Sequence, residues 1–365
     1  MRKPTFLFLL LFCCAGLFAQ DDLPADGPYL FYEDDGVVAR WASPEQRTTG
    51  EVQWTDAGIA ELPAFPTFRP DLIDPRRAFH RDDNIEFSGI DSIAVISDVH
   101  GQYEAARKLL LNAGVMDEQF NWTYGSGHLV VVGDIFDRGP QVNEVLWMIH
   151  NLMQEAPRHG GRVHFLLGNH ETMVLGGDVR YINNRYLKTT ALLTTPYREL
   201  YGPDTYLGRW LRSLPLTIRI NDMVFVHGGF SKELLKEVAD LQKINNTYHR
   251  YLIDKDVNVA VAESDRLKLL HGRQGPLWYR GYFLDRDFTE DDIRKILRKL
   301  RAERLIVGHT SFNAIQSYFN GRVLAVDSSI KFGSAGEILL IENGVMNRTT
   351  LFGEREDLVV AEDKR

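Results

Sequence analysis

Cysteine is almost missing from this 365-residue sequence: two are present, Cys13 and Cys14, both close to the start. They fall in a segment that opens with Arg2 and Lys3, runs apolar from Phe6 to Phe18, and ends at Ala19 before Gln20, Asp21 and Asp22. That pattern reads as a secretory signal peptide over 1–19, too short to span a bilayer comfortably. Leu17 fits a small-x-small cleavage site imperfectly, so the cut can shift by a residue or two. Cleavage after Ala19 leaves a mature chain with no cysteine. Disulfides, thiolate metal ligands and a cysteine nucleophile are then excluded. The expected location is periplasmic or secreted. No later apolar run is long enough to cross a membrane, so no span is expected in the mature chain. An excess of basic charge is also lacking. With 42 Lys and Arg against 50 Asp and Glu the formal net charge is -8. Such a chain has no general attraction for nucleic acid, which is not an expected partner. Internal repeats and low-complexity segments are absent, and nothing fixes an oligomeric state.

What remains is an ordinary globular composition, 44% hydrophobic and 25% charged, long enough to bury a large core. Tyr29–Tyr32 and Val37–Trp41 flank Asp34-Asp35-Gly36, a hairpin signal. Pro63, Pro66, Pro70 and Pro75 mark an extended connector over 62–76. Residues 20–88 read as an N-terminal β-rich extension, 89–353 as the main domain, and 354–365 as a tail. In that domain Ile93–Ser97, Leu129–Val132 and Val163–Leu167 are strand-like. They alternate with helical patterns at Tyr103–Asn112 and Val142–Met153. The alternation predicts a parallel sheet with right-handed crossovers, whose ligands bind beyond the C-terminal strand ends. Val224–Val226, Leu305–Val307 and Val323–Val326 are further short strands. Helical stretches at 231–248 and 289–301 belong to an expected helical insertion or cap over 231–304. A closing hairpin over 336–352 turns at Asn343-Gly344.

Five short polar motifs follow strand-like runs: Ser97-Asp98-Val99-His100-Gly101, Gly133-Asp134-Ile135-Phe136-Asp137-Arg138-Gly139, Gly168-Asn169-His170-Glu171, Val226-His227-Gly228-Gly229 and Gly308-His309-Thr310. One histidine at a strand end is an unremarkable structural residue; this ordered series is not coincidence. The residue types suit two divalent cations. Two such ions repel, so a carboxylate must sit between them, and Asp134 is the best placed. Asp98 and His100, two apart, can face one side and hold the first ion. Asn169, His227 and His309 supply neutral oxygen and imidazole for the second. This mixed N/O set suits Mn, Fe or Zn. A water bridging two ions is acidified towards neutrality and can attack phosphorus in line. His170 is then the candidate general acid, Asp137 its orienting carboxylate, and Arg138 a fork for phosphate oxygens.

These motifs resemble the metal-dependent phosphoprotein phosphatases of the calcineurin-like metallophosphoesterase superfamily. The Glu of Gly168-Asn169-His170-Glu171 and the doubled glycine after His227 resemble the protein-phosphatase branch, and the stretch Gly168–Tyr181, with Gly308-His309-Thr310, is similar to the bacterial-type Shewanella-like protein phosphatases. The resemblance implies an α/β fold, a metallophosphoesterase β-sandwich flanked by helices. It implies one ion on Asp98, His100 and Asp134, and another on Asp134, Asn169, His227 and His309. His170, with Asp137, would protonate the leaving group. A second phosphate-binding arginine is expected between the late histidines, and Arg280 is chosen. Arg138, Arg280, Asn169, Arg180 and Tyr181 are the expected substrate contacts. Leu167, where eukaryotic serine/threonine enzymes carry arginine, and Ser97, where glycine is usual, depart from that branch. Some Shewanella-like members prefer phosphotyrosine, which these departures fit. The expected partner is a phosphorylated protein or peptide; the alternative is a small phosphoester such as a nucleotide or dinucleoside polyphosphate.

Overall fold

The computed structural model describes residues 25–55, 58–59 and 62–360. The expected signal segment, with Cys13 and Cys14, lies outside them, as does the end of the C-terminal tail.

The first strands are β1 (Asp26–Glu33), β2 (Gly36–Ser43) and β3 (Thr48–Trp54), an antiparallel three-stranded sheet. β1 and β2 are the expected hairpin, with Gly36 paired to Glu33 at the turn. β4 (Glu86–Phe87) belongs elsewhere: it is the edge strand of a catalytic sheet, pairing with the later strand Thr217–Ile220. β5 (Ser92–Ile96), α1 (Tyr103–Asn112), β6 (His128–Val131), α2 (Val142–Glu155) and β7 (Arg162–Phe165) follow as the predicted parallel alternation. After β7 come α3 (Asn169–Leu175), α4 (Asn184–Leu193), α5 (Tyr197–Leu200) and α6 (Tyr206–Ser213). β8 (Thr217–Ile220) and β9 (Met223–Val226) form a tight antiparallel pair. The stretch between β9 and β10 holds α7 (Leu234–Glu237), α8 (Leu241–Tyr251), α9 (Val257–Glu263), α10 (Asp265–His271), α11 (Gly281–Leu284) and α12 (Glu290–Leu300). β10 (Arg304–Val307), β11 (Gln316–Tyr318), β12 (Val323–Ala325), β13 (Glu337–Glu342), β14 (Val345–Thr350) and β15 (Arg355–Asp357) complete the chain.

Two six-stranded sheets result, ordered β11-β12-β10-β9-β8-β4 and β15-β14-β13-β5-β6-β7. They share one hydrophobic core, to which Val95, Val130, Phe225 and Ile306 all contribute. The sheets are mixed, not purely parallel as the alternation suggested. β5, β6 and β7 are parallel in one sheet, and β9, β10 and β12 in the other. The remaining strands include tight hairpin partners, too closely connected for a crossover helix, as in β13–β14. β15, within the expected tail, extends a sheet by pairing with β14.

α2 is buried on nearly every side, including Asn143, Glu144, His150 and Asn151. A helix normally exposes such residues. Here the N-terminal extension and the later helices cover them: Asn151 Nδ2 donates to Thr67 O at 2.6 Å, Phe68 packs edge-on against Trp147 with centroids 4.9 Å apart, Glu144 pairs with Arg185 of α4, and His150 lies against Tyr206 and Trp210 of α6. No helix among the described residues is long and apolar enough to cross a membrane.

Candidate metal centre

Strands β5, β6, β7, β9, β10 and β12 all end at one place. Asp98 and His100 follow β5, Asp134 to Arg138 follow β6, and Asn169 to Glu171 follow β7. From the other sheet His227 follows β9, His309 follows β10, and Asp327 follows β12. The backbone there is unusual. Asp98, His100, Asp134, Asp137, Arg138 and His309 all have positive φ, between 49° and 72°. Non-glycine residues adopt that region at a cost and keep it where the surroundings dictate it. Gly133 (φ 81°) is required by close approach, since a Cβ there would lie 2.6 Å from Gly168 Cα. That contact brings the loops of Asp134 and Asn169 together.

Glu171 holds these two loops. Its carboxylate, fully buried, accepts the N–H groups of Asp134 (2.8 Å), Ile135 (2.8 Å), Phe136 (3.3 Å) and Gly168 (2.7 Å). The histidines are oriented by carbonyls. His100 Nδ1 donates to Phe136 O, and His227 Nδ1 to Val132 O, each at 2.7 Å. Both therefore turn Nε2 inward, the arrangement metal-binding imidazoles use. Asp134 Oδ2 lies 3.2 Å from His227 Nε2, 3.7 Å from His100 Nε2 and 3.9 Å from His170 Nε2. Asn169 Oδ1 lies 3.0 Å from His227 Nε2. Asp98 Oδ2 accepts from Ser97 Oγ (2.5 Å) and from the His309 N–H (3.0 Å).

Two groups of ligand atoms lie close enough to hold a cation, His100–Asp134–His170 and Asp134–His227–His309, and they share Asp134. His309 Nε2 is buried with no hydrogen-bond partner. A shared buried carboxylate, inward-facing nitrogens and an orphaned ring nitrogen fit a pair of divalent ions. The grouping puts His170 where Asp98 was expected. We favour His170 as a proton carrier, because its Nδ1 is already tightly hydrogen-bonded to Asp137 Oδ2.

The electrostatics agree. Burial, reinforced by Asp327, pushes the Asp98 carboxyl well above its usual range. Burial acts the same way on Asp134, but His227, His170 and His100 outweigh it and hold that carboxyl well below. Burial drives His100 down to about 3 and His309 to about 2, leaving neutral rings ready to ligate. His227 is the exception: against burial, Asp134 holds it up to about 10.

Of the other expected residues, Arg138 is exposed with its guanidinium carbon 5.6 Å from the Tyr181 ring centre. That ring also lies against His170, with centroids 5.4 Å apart. Arg280 is half-buried, and its charge is felt by His309 while it feels Asp98, Asp327, Asp134 and Arg138. Arg180 is not drawn into the cage. Its side chain, 69% exposed, is bound by the Asp178 carboxylate and reaches the site through Tyr181 alone. Sequence reasoning missed Asp327, although it follows a strand as the candidate ligands do. It also missed the packing of Trp278 against His309, 5.6 Å between centroids.

Comparison with known proteins identifies the family. Residues 92–311 match the model of the calcineurin-like phosphoesterases, and the chain belongs to that family. The crystal structure of a cold-active protein-tyrosine phosphatase from a psychrophilic Shewanella species superposes with a TM-score of 0.81. It is 39% identical, covering 92% of this chain and 100% of that one. Shewanella-like protein phosphatase 1 of Plasmodium berghei is 27% identical over 69% of this chain and 70% of its own length. An uncharacterized protein of Schizosaccharomyces pombe is 30% identical over 67% of this chain and 75% of its own length.

Proposed function

We propose that this chain is an exported, two-metal protein phosphatase that accepts phosphotyrosine. The carrying observation is the pair of ligand groups sharing Asp134, with the His170–Asp137 pair beside them. Asp98, His100 and Asp134 would hold one ion, and Asp134, Asn169, His227 and His309 the other; Mn, Fe or Zn suits this donor set. Bound there, the ions supply Lewis-acid polarisation of the phosphoryl group and an acidified water.

The chain's own residues do the rest. Asp137 fixes His170 so that Nε2 faces the pocket carrying the proton for the departing oxygen. His170 is raised, since Asp134 and Asp137 outweigh burial, which suits a donor. Arg138 and Arg280 grip phosphoryl oxygens, the local positive charge that a chain of net charge -8 needs. Tyr181, 44% exposed beside His170, offers a ring face to an aromatic substrate side chain. The relative named a protein-tyrosine phosphatase supports that preference.

The test is a panel of phosphotyrosine and phosphothreonine peptides, a diadenosine polyphosphate and a phosphodiester, with metal analysis of the same preparation. Fastest turnover of the phosphotyrosine peptide is expected. Rapid nucleotide cleavage without peptide turnover would overturn the reading. Export is supported by the apolar segment after Arg2-Lys3. Expressed in full in a Gram-negative host, the protein should be periplasmic and begin near Gln20; cytoplasmic recovery with Met1 intact would refute export.

A further inference from the structure

Asp137 and Arg138 are consecutive left-handed residues, φ 72° and 66°. Each costs roughly 1–3 kcal/mol, so something beside the loop must impose the conformation. The segment after α3 does so. The Arg138 N–H donates to Tyr181 O at 2.9 Å, and Arg138 O accepts from Asn183 Nδ2 at 2.8 Å. Just beyond, Pro140 O accepts from Arg185 Nη1 (2.7 Å) and Tyr186 OH (3.0 Å). Asn183 has two tasks. Its Oδ1 caps α4 by accepting from Arg185 N at 3.0 Å, while its Nδ2 holds the Arg138 carbonyl.

α4 is anchored in turn by the N-terminal sheet. Asp26, at the start of β1 and 1% exposed, accepts from Thr189 Oγ1 of α4 (2.6 Å), Asn143 Nδ2 of α2 (2.8 Å) and Tyr29 OH (2.9 Å). Arg185 pairs with Glu144 of α2 at 3.1 Å. A buried carboxylate whose donors come from separate elements fixes those elements relative to one another.

We propose that Asn183 is a positioning residue that aims Arg138 at the phosphoryl group, and that the N-terminal sheet, through Asp26 and α4, anchors that aim. The inference rests on Arg138 binding phosphate. Neither Asn183 nor Asp26 touches the reacting atoms. The extension is thus part of the catalytic apparatus as well as a cover for α2.

Asn183→Ser tests it, because serine keeps a good N-cap while losing the amide that reaches Arg138. On 4-nitrophenyl phosphate, kcat/KM should fall roughly tenfold, with metal content and Tm unchanged. In an Arg138→Ala background the same change should cost nothing further, because the two act as one unit. An equal loss in that background would overturn the positioning role while leaving Arg138 as a phosphate ligand. Wild-type kcat/KM in Arg138→Ala alone would remove the phosphate role itself. Thr189→Val, which takes away the hydroxyl bound to Asp26, should give a smaller Arg138-dependent loss that Thr189→Ser restores. Unchanged kcat/KM in Thr189→Val would overturn the anchoring half.

Discussion

Two side chains at the centre make opposite demands on their neighbours. In its proposed role His170 releases a proton outward while Asp137 holds it from behind. His170→Asn should therefore slow an alkyl phosphate far more than an aryl phosphate, since a phenoxide leaves with little help. The expected gap is at least tenfold, read as kcat on 4-nitrophenyl phosphate against a phosphothreonine peptide; equal losses would exclude the donor role. Glu171 must stay an acceptor. Its two oxygens collect four backbone N–H groups, so Glu171→Gln would turn an amide donor onto donors. A loss of about 2–4 kcal/mol is expected in urea unfolding at fixed metal concentration. Less than about 1 kcal/mol would mean the loops hold without it. At this scale the sequence was informative where a residue's chemistry and its strand-end position spoke together. Asp98, His100, Asp134, Asn169, His227 and His309 could be named on that basis. Glu171 could be seen as a motif letter, but the four N–H groups that give it meaning come from two loops joined only by folding.

Elements were legible in proportion to how local their causes are. Tyr103–Asn112 was read to the residue, because its apolar spacing and its ends lie within the segment. The turn at Asn343-Gly344 is similarly local, with φ values of 51° and 82° that match a two-residue type I′ hairpin. No atom lies within 4 Å of a Cβ placed on Gly344. Gly344→Ala should then cost only conformational energy, about 1–2 kcal/mol by equilibrium unfolding, without change in kcat. A much larger loss would reveal packing that the hairpin does not show. Other elements escaped. The stretch 231–248 was read as continuous helix, but Val238 is extended and Asp240 starts a new helix by capping Lys243 N at 2.8 Å. The helices α4 to α6 had no counterpart in the reading of the sequence, which assigned no element between Tyr181 and Val224. Their buried residues answer to distant partners, Thr189 to Asp26 of β1, Arg185 to Glu144 of α2 and Trp210 to Phe165 of β7, and partners that far away leave no periodic mark.

At the scale of the molecule, the proposed metal ligands come from both sheets. Asp98, His100, Asp134 and Asn169 end strands of one, while His227 and His309 end strands of the other. Hydrogen bonds already cross the seam, from His309 N to Asp98 Oδ2 at 3.0 Å and from His227 Nδ1 to Val132 O at 2.7 Å. They do not offset the burial of Asp98, Asp134 and Asp327 side by side, each no more than 2% exposed. Three carboxyl groups crowded around the single imidazolium of His227 still oppose folding. Cations shared between the sheets would remove that opposition where the two halves meet. Chelation should therefore abolish activity and also lower the Tm of the whole chain. Returning Mn2+ at about 100-fold over its Kd should recover about 2.7 kcal/mol per site, a rise of several degrees. Because the seam joins both sheets through one core, far-UV dichroism and tryptophan fluorescence should report the same shifted midpoint. If metal restores turnover but moves neither midpoint, the ions serve the chemistry alone and the sheets are held together by their core.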